Sequence, residues 1–353
     1  MELTFFIIAA SALIVALAVT PLIRRAATAA NFVDKPGERK IHTREVAYGG
    51  GIAVALALVM TLGGAWYAAH NWKLFPPDAD APEYATLVYV AIGALCMLLL
   101  GSIDDKYRLS AGVKLLAQLV IAAATVAGGV RITAFIGDNW IMKGVTALWI
   151  ALITNSFNLL DNMDGLCSGT VAIAAAMLAL VASASGQWTD AVTLTALCGA
   201  SAGFFWYNRS PASIFLGDAG SLFCGYVMAC FTVLVTYYRE TGPSHLAIGV
   251  PLLVLAIPLY DTASVILIRL TEGRPVMKGD MSHFSHRLVD LGMTRAQAVG
   301  TIHLACLAIG LSATLLGKLS ELAGMLVVVQ ALMVLAIIAL LERAGLRKAK
   351  SKE

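Results

Sequence analysis

The stretch from Val145 to Leu166, VTALWIALITNSFNLLDNMDGL, opens as an almost unbroken apolar run and closes on two amides and two carboxylates. Asn155, Asn158, Asp161 and Asp164 recur every three residues, a spacing that keeps successive side chains of a helix near one face. Polar groups are costly inside a bilayer. The run therefore reads as a membrane helix whose end leaves the hydrocarbon and gathers oxygen atoms at the boundary. Such oxygens suit a hard cation such as Mg²⁺ and the hydroxyls of a nucleotide. The plainer alternative is a polar helix end with caps.

The surrounding chain has the same character. With 59% hydrophobic and 13% charged residues over 353 positions, it lies outside the range of soluble domains. Eleven apolar segments approach the length needed to span a bilayer: near 3–23, 49–69, 84–103, 112–130, 144–160, 165–184, 190–207, 219–238, 246–270, 297–317 and 321–342. The expected fold is an all-α polytopic membrane protein of about 11 transmembrane helices, with 1–353 as a single integral domain in the lipid bilayer. The first segment lacks a basic leader and is followed by Arg24 and Arg25, which favours a retained helix with its N-terminus outside. Placing alternate loops and the C-terminal tail on one side collects 20 of the 25 Lys and Arg there, leaving Lys73, Arg131, Lys143, Arg239 and Lys318 opposite. That asymmetry assigns the richer side, and the C-terminus, to the cytoplasm. The basic tail, about 343–353, is expected to be disordered on the membrane surface. The net charge of +3 follows from this bias and gives no reason to invoke nucleic acid. The six Cys lack metal-ligand spacing and read as packing residues.

The cytoplasmic side also collects the chemistry. Arg39, Lys40 and His42 lie close together after the first segment and act either as topology determinants at lipid headgroups or as phosphate binders. Gly49, Gly50 and Gly51 permit close backbone approach. Asp104 and Asp105 end the third segment. Adjacent carboxylates repel unless a cation or protons offset the charge; the alternative is a solvated acidic cap. Ser110 can cap the next helix, placing Lys114 one turn in and pointing back toward the same pocket. Asp218, in FLGDAGS from Phe215 to Ser221, stands between small residues at a helix start. It is either an N-cap or an open acid where a phosphate would be favoured. Pro251 and Pro258 predict a kink, and Asp261 just beyond is either a buried hydrogen-bonding group or a direct participant. In the last large loop His283, His286 and Arg287 lack a further His or Cys for a zinc set, so anion contact is favoured. Acids at three helix ends with basic groups on the same side describe metal-assisted phosphoryl transfer at the membrane boundary. A secondary transporter would instead place acids near the midplane in two matching halves.

These motifs resemble the polyprenyl-phosphate N-acetylhexosamine-1-phosphate transferases. The resemblance rests on Asp104-Asp105, NxxNxxDxxDGL from Asn155, FLGDAGS, DxPxxRKxH from Asp34 to His42, LSxxxKLLxQ from Leu109 to Gln118, and the His-containing last loop. It spans nearly the whole chain with the motifs in order. It implies a multi-pass enzyme of the bacterial inner (plasma) membrane with its active site at the cytoplasmic face. Such an enzyme moves a sugar 1-phosphate, here GlcNAc-1-phosphate, from a UDP-sugar to undecaprenyl phosphate and releases UMP, initiating cell-envelope glycan synthesis. The resemblance further implies Mg²⁺, with Mn²⁺ as a substitute, held by Asp218 with Asn158 as second ligand. Asp104 and Asp105 would handle the lipid phosphate, as base or through the metal, and Lys114 the diphosphate. Asp161 and Asp164 would sit near the uridine or the metal, and Asn155 and Asn158 would contact substrate. Arg39, Lys40, His42, His283, His286 and Arg287 would contact the sugar phosphate. A homodimer is the candidate assembly, and direct attack by the lipid phosphate, with inversion at phosphorus, is preferred to a course through a covalent Asp intermediate.

The chain departs from the family pattern in four places. Asn162 replaces a Gly after the first Asp of NxxNxxDxxDGL, Ser285 takes the middle position of an H-x-H-H motif, Arg44–Tyr48 lack a Pro-rich approach to the glycines, and three consecutive His are missing. These differences favour a UDP-GlcNAc-like donor over UDP-MurNAc-pentapeptide.

Overall fold

A computed structural model describes residues 2–34, 45–72, 82–132, 139–237, 244–275 and 283–350, with side chains to 342. Arg39, Lys40 and His42 lie outside the described residues. Each of the eleven apolar segments falls on helix. In chain order these are α1 (Glu2–Ala29), α2 (Gly50–Trp72), α3 (Tyr84–Tyr107), α4 (Ala111–Ala127), α5 (Trp140–Leu160), α6 (Leu166–Ala184), α7 (Trp188–Asn208) and α8 (Gly217–Leu234). They continue with α9 (Val250–Val254), α10 (Ala256–Thr271), α11 (Phe284–Asp290), α12 (Arg295–Ala313) and α13 (Glu321–Lys350). Among the described residues eight helices are long and apolar enough to cross a membrane, or nine spans if a bent pair counts as one. The eleven segments exceed this because α4 has only 17 residues and α7 carries Asp190, Asn208 and several Thr and Ser that lower its hydropathy. Large side chains such as Phe6, Ile14, Leu22, Ile92, Leu95, Leu326 and Leu340 are exposed, as expected where lipid rather than water is the solvent. The chain is a multi-pass membrane protein.

The chain divides into two compact units, Met1–Val235 and Thr236–Glu353. In the first unit α8 is the core helix: Gly217 and every residue from Ala219 to Thr232 are buried, with α2, α3 and α5 packed around it. Helices meet in lipid through small residues that let backbones approach. Gly199 and Gly203, one turn apart on α7, lie against the Ala9 and Leu13 carbonyls of α1, and a Cβ on Gly203 would stand 2.5 Å from the latter. The same device operates at the start of α8, where Gly51 of α2 abuts Gly220 and Gly101 of α3 abuts the backbone of Asp218 and Ala219. A short antiparallel pair, β1 (Val33–Asp34) with β2 (Val46–Ala47), supports this corner. Beside it the Phe215 amide donates to Ala47 at 2.9 Å, and the Gly50 and Gly51 amides donate to Phe215 and Leu216 at 3.0 and 3.1 Å.

In the second unit a short 3₁₀ turn (His245–Gly249) leads into α9, and the pair bends 66° against α10. The kink lies where the prolines predict it. Pro258 has no amide for the Val254 carbonyl, and its ring crowds that residue, so α9 stops at Val254. α13 continues to Lys350, so helix extends through most of the tail expected to be disordered; Ala, Leu, Arg and Lys there are good helix formers.

Candidate active site

α5 ends at Leu160 rather than running through the whole polar stretch. Asp, Asn and Gly favour turns, and Gly165 adopts φ +78 to start α6. Asn155 and Asn158 are therefore on a helix, Asp161 is its C-cap, and Asp164 lies in the turn beyond. Asp164 ties that turn to the loop between α7 and α8 by accepting the Ala212 amide at 3.0 Å. The two loops are also bracketed by buried Asn208. Its Oδ1 accepts from the Gly165 amide (3.1 Å) and Ser168 Oγ (2.8 Å), while its Nδ2 donates to Ile214 (3.1 Å).

The centre forms where α3, α4, α5 and α8 meet. Ser110 caps α4, and Lys114 one turn in reaches two carboxylates, Asp104 Oδ2 at 2.7 Å and Asp218 Oδ2 at 2.8 Å. Asp218 Oδ1 accepts from Asn158 Nδ2, which also donates to Ser221 Oγ at 2.9 Å. Asp218 thus does not serve as the N-cap of its own helix. That part falls to Asp105, whose oxygens accept the Asp218 and Ala219 amides at 2.8 and 3.1 Å. Gly217, at φ +74, leaves room for this: a Cβ there would stand 2.6 Å from Asp105 Oδ2. Asp104 Oδ1 accepts the Leu109 amide at 2.6 Å, which fixes the turn into α4.

Burial first, then the nearby carboxylates of Asp218, Asp105 and Asp164, push the Asp161 carboxyl well above the ordinary range. Tyr48 stands near the same acids: burial, then Asp34 and Asp105, raise its hydroxyl. This crowd of acids around Lys114 has the charge excess that a divalent cation would offset. Among the described residues no three His, Cys, Asp or Glu groups form a ready-made metal cage. Mg²⁺ does not require one, since it is usually held by one or two carboxylates together with waters and substrate phosphates. Asp218, Asn158 and Asp161 fit that donor set.

A second polar cluster lies in the Thr236–Glu353 unit. Asp261 is buried and accepts from His283 Nδ1 (2.9 Å) and the Phe284 amide (2.6 Å), which takes the hydrogen-bonding role of the two considered for it. His286 lies 6.4 Å from His283, ring to ring. Burial, then the His283 charge, lower its pKa. Arg287 Nη2 donates to Glu342 Oε1 (3.0 Å) and Ser264 Oγ (2.8 Å), and Tyr260 donates to Glu342 Oε2 (2.8 Å).

Asn208, Ser221, Tyr48 and Glu342 are given no role by the sequence motifs. Only Ser221, inside FLGDAGS, carries a signal that could have found it.

Residues 87–236 match the model for glycosyl transferase family 4. The chain is 31% identical over 313 residues to a protein of Bacillus subtilis named as a probable undecaprenyl-phosphate N-acetylglucosaminyl 1-phosphate transferase, covering 86% of this chain and 82% of that one. It is 26% identical over 297 residues to the undecaprenyl-phosphate alpha-N-acetylglucosaminyl 1-phosphate transferase of Escherichia coli K12 (80% and 76% covered). It is 27% identical over 309 residues to the decaprenyl-phosphate N-acetylglucosaminephosphotransferase of Mycobacterium tuberculosis (80% and 75%). The chain belongs to glycosyl transferase family 4.

Proposed function

We propose that this protein transfers GlcNAc-1-phosphate from UDP-GlcNAc to undecaprenyl phosphate at the cytoplasmic face of the bacterial inner membrane, releasing UMP. The observation that carries the reading is the Lys114 bridge between Asp104 and Asp218, with Asn158 on the other oxygen of Asp218. It joins four helix ends into one charged centre. The names of the relatives support the acceptor and the sugar. The family likeness and the acids at helix ends speak against a transporter.

In the proposed step an oxygen of the lipid phosphate attacks the β-phosphorus of the donor. The new P–O bond forms as the bond to the α-phosphate oxygen breaks, and UMP leaves with that oxygen. Lys114 would bind the diphosphate, exchanging part of its pairing with Asp104 and Asp218 for substrate charge. Asp105 holds the first turn of α8, and so Asp218, in place. Mg²⁺, held by Asp218 and Asn158 with Asp161 nearby, would neutralise charge on the diphosphate.

The test is purified protein with undecaprenyl phosphate, Mg²⁺ and a panel of UDP-GlcNAc, UDP-GalNAc and UDP-MurNAc-pentapeptide, reading UMP and lipid product. UMP release with UDP-GlcNAc alone is expected, and Asp218→Ala is expected to abolish it while the protein remains folded. Product from UDP-MurNAc-pentapeptide in preference would overturn the choice of sugar.

A further inference from the structure

Gln118 closes the LSxxxKLLxQ motif, one helical turn beyond Lys114 on α4, and is fully buried. Its Oε1 accepts from Asn155 Nδ2, and the same Nδ2 donates to the Ala151 carbonyl at 2.8 Å. That carbonyl fixes both amides. A carbonyl can only accept, so Asn155 must turn its NH₂ toward it, and Gln118 must offer oxygen to the second N–H. Two consequences follow from this orientation. Gln118 Nε2 is left buried with no hydrogen-bond partner among the described residues, which is costly to folding. Half-buried Asn155, in turn, keeps its carbonyl Oδ1 as the group still open to a ligand.

Asn158 repeats the arrangement three residues on, its NH₂ spent on Asp218 and Ser221. α5 therefore carries two carboxamides on one face, each held with its amide side occupied. An amide oxygen accepts hydrogen bonds and cannot donate one to a phosphate. Its natural partners on a nucleotide sugar are hydroxyl and N–H groups.

We propose that Gln118 is a positioning residue of the transfer site, holding Asn155 so that its Oδ1 accepts from a hydroxyl or N–H group of the nucleotide-sugar donor. This rests on the function proposed above. It explains why a buried orphan donor persists: the cost falls on stability and the return on donor binding.

The test compares Gln118→Leu and Gln118→Glu with the unaltered protein, measuring donor KM, kcat and thermal unfolding with UDP-GlcNAc and undecaprenyl phosphate. Gln118→Leu removes both the acceptor and the orphan donor. It is expected to fold at least as stably as the unaltered protein and to raise donor KM about tenfold, the effect of one hydrogen bond to a positioned group, with kcat changed much less. Gln118→Glu keeps an oxygen in place and is expected to hold KM within about threefold. A lowered unfolding temperature with donor KM unchanged in Gln118→Leu marks a structural residue and overturns the proposal. So does Gln118→Glu raising KM as far as Gln118→Leu, a comparison that stands even if the Leu variant is unstable. An unaltered protein that makes no lipid-linked product from any UDP-N-acetylhexosamine overturns the functional reading itself, and this inference with it.

Discussion

Asp105, at the end of α3, caps α8 with both carboxylate oxygens, accepting the backbone amides of Asp218 and Ala219 at 2.8 and 3.1 Å. A carboxylate at a helix N-terminus satisfies donors that have no partner within the helix and complements its dipole. The acid that the motif reading gives to the lipid phosphate is thus engaged in holding its neighbour. Asp105→Ala is expected to cost about 1–2 kcal/mol of stability and to lower kcat by loosening Asp218. Asp105→Asn retains one acceptor and should keep much of both. Unfolding and UMP release measured together separate this from a base: if Asp105→Asn abolishes turnover at unchanged stability, the positioning role is wrong.

Lys114 offsets two carboxylates at once. Lys114→Ala leaves Asp104 and Asp218 facing each other without it and removes the proposed diphosphate contact. Donor KM should rise by about tenfold or more, the range for a charged hydrogen bond. Lys114→Arg should not restore it, because a planar guanidinium does not reproduce a compact ammonium between two acids. An unchanged dependence of rate on donor concentration would count against the diphosphate role.

Arg287 and Glu342 form a buried pair, both side chains less than a tenth exposed. Removing one partner of such a pair is expected to cost about 3–5 kcal/mol, whereas replacing both with apolar or neutral groups is often nearly neutral. Arg287→Met should therefore destabilise strongly, and Arg287→Met with Glu342→Gln should recover most of the loss. Thermal unfolding checks the stability. Activity in the double variant then reports on the sugar-phosphate contact implied by the family resemblance: recovered folding without recovered turnover would support it.

Asp161 gives a pH dependence. Its carboxyl is raised in the folded protein by burial and neighbouring acids, so the folded chain binds that proton more tightly than the unfolded one. The associated stability is fully present below the ordinary value of 3.8 and is lost as pH rises through the higher folded value. In metal-free buffer the unfolding temperature should decline from about pH 4 upward. Asp161→Asn should flatten the decline, and added Mg²⁺ should oppose it in the unaltered protein. A profile identical in Asp161→Asn would remove the electrostatic account of the site.

Some of this was legible in the chain and some was not, for physical reasons. Helix existence follows from apolar runs, and the break after Val254 from Pro258. Ser110 and Lys114 could be placed because a cap fixes the phase of the turn that follows. Boundaries were harder: α5 begins at Trp140, ahead of its apolar run, because Asn139 caps it by accepting the Met142 amide at 2.9 Å. Periodicity carried Asn155 and Asn158 correctly onto a helix but overran into Asp161 and Asp164, where turn-forming residues prevail. Pairings over long separations, such as Lys114 with Asp218 or Arg287 with Glu342, leave no local trace. A glutamate at the end of an apolar helix looks like any boundary charge until the fold brings an arginine to it.

The contacts of Gly51 and Gly101 with the opening turn of α8 leave bare main chain against bare main chain on two sides. Any added methyl there would lever Asp218 away from Lys114 and Asn158, so this corner offers no foothold for retuning which sugar is accepted.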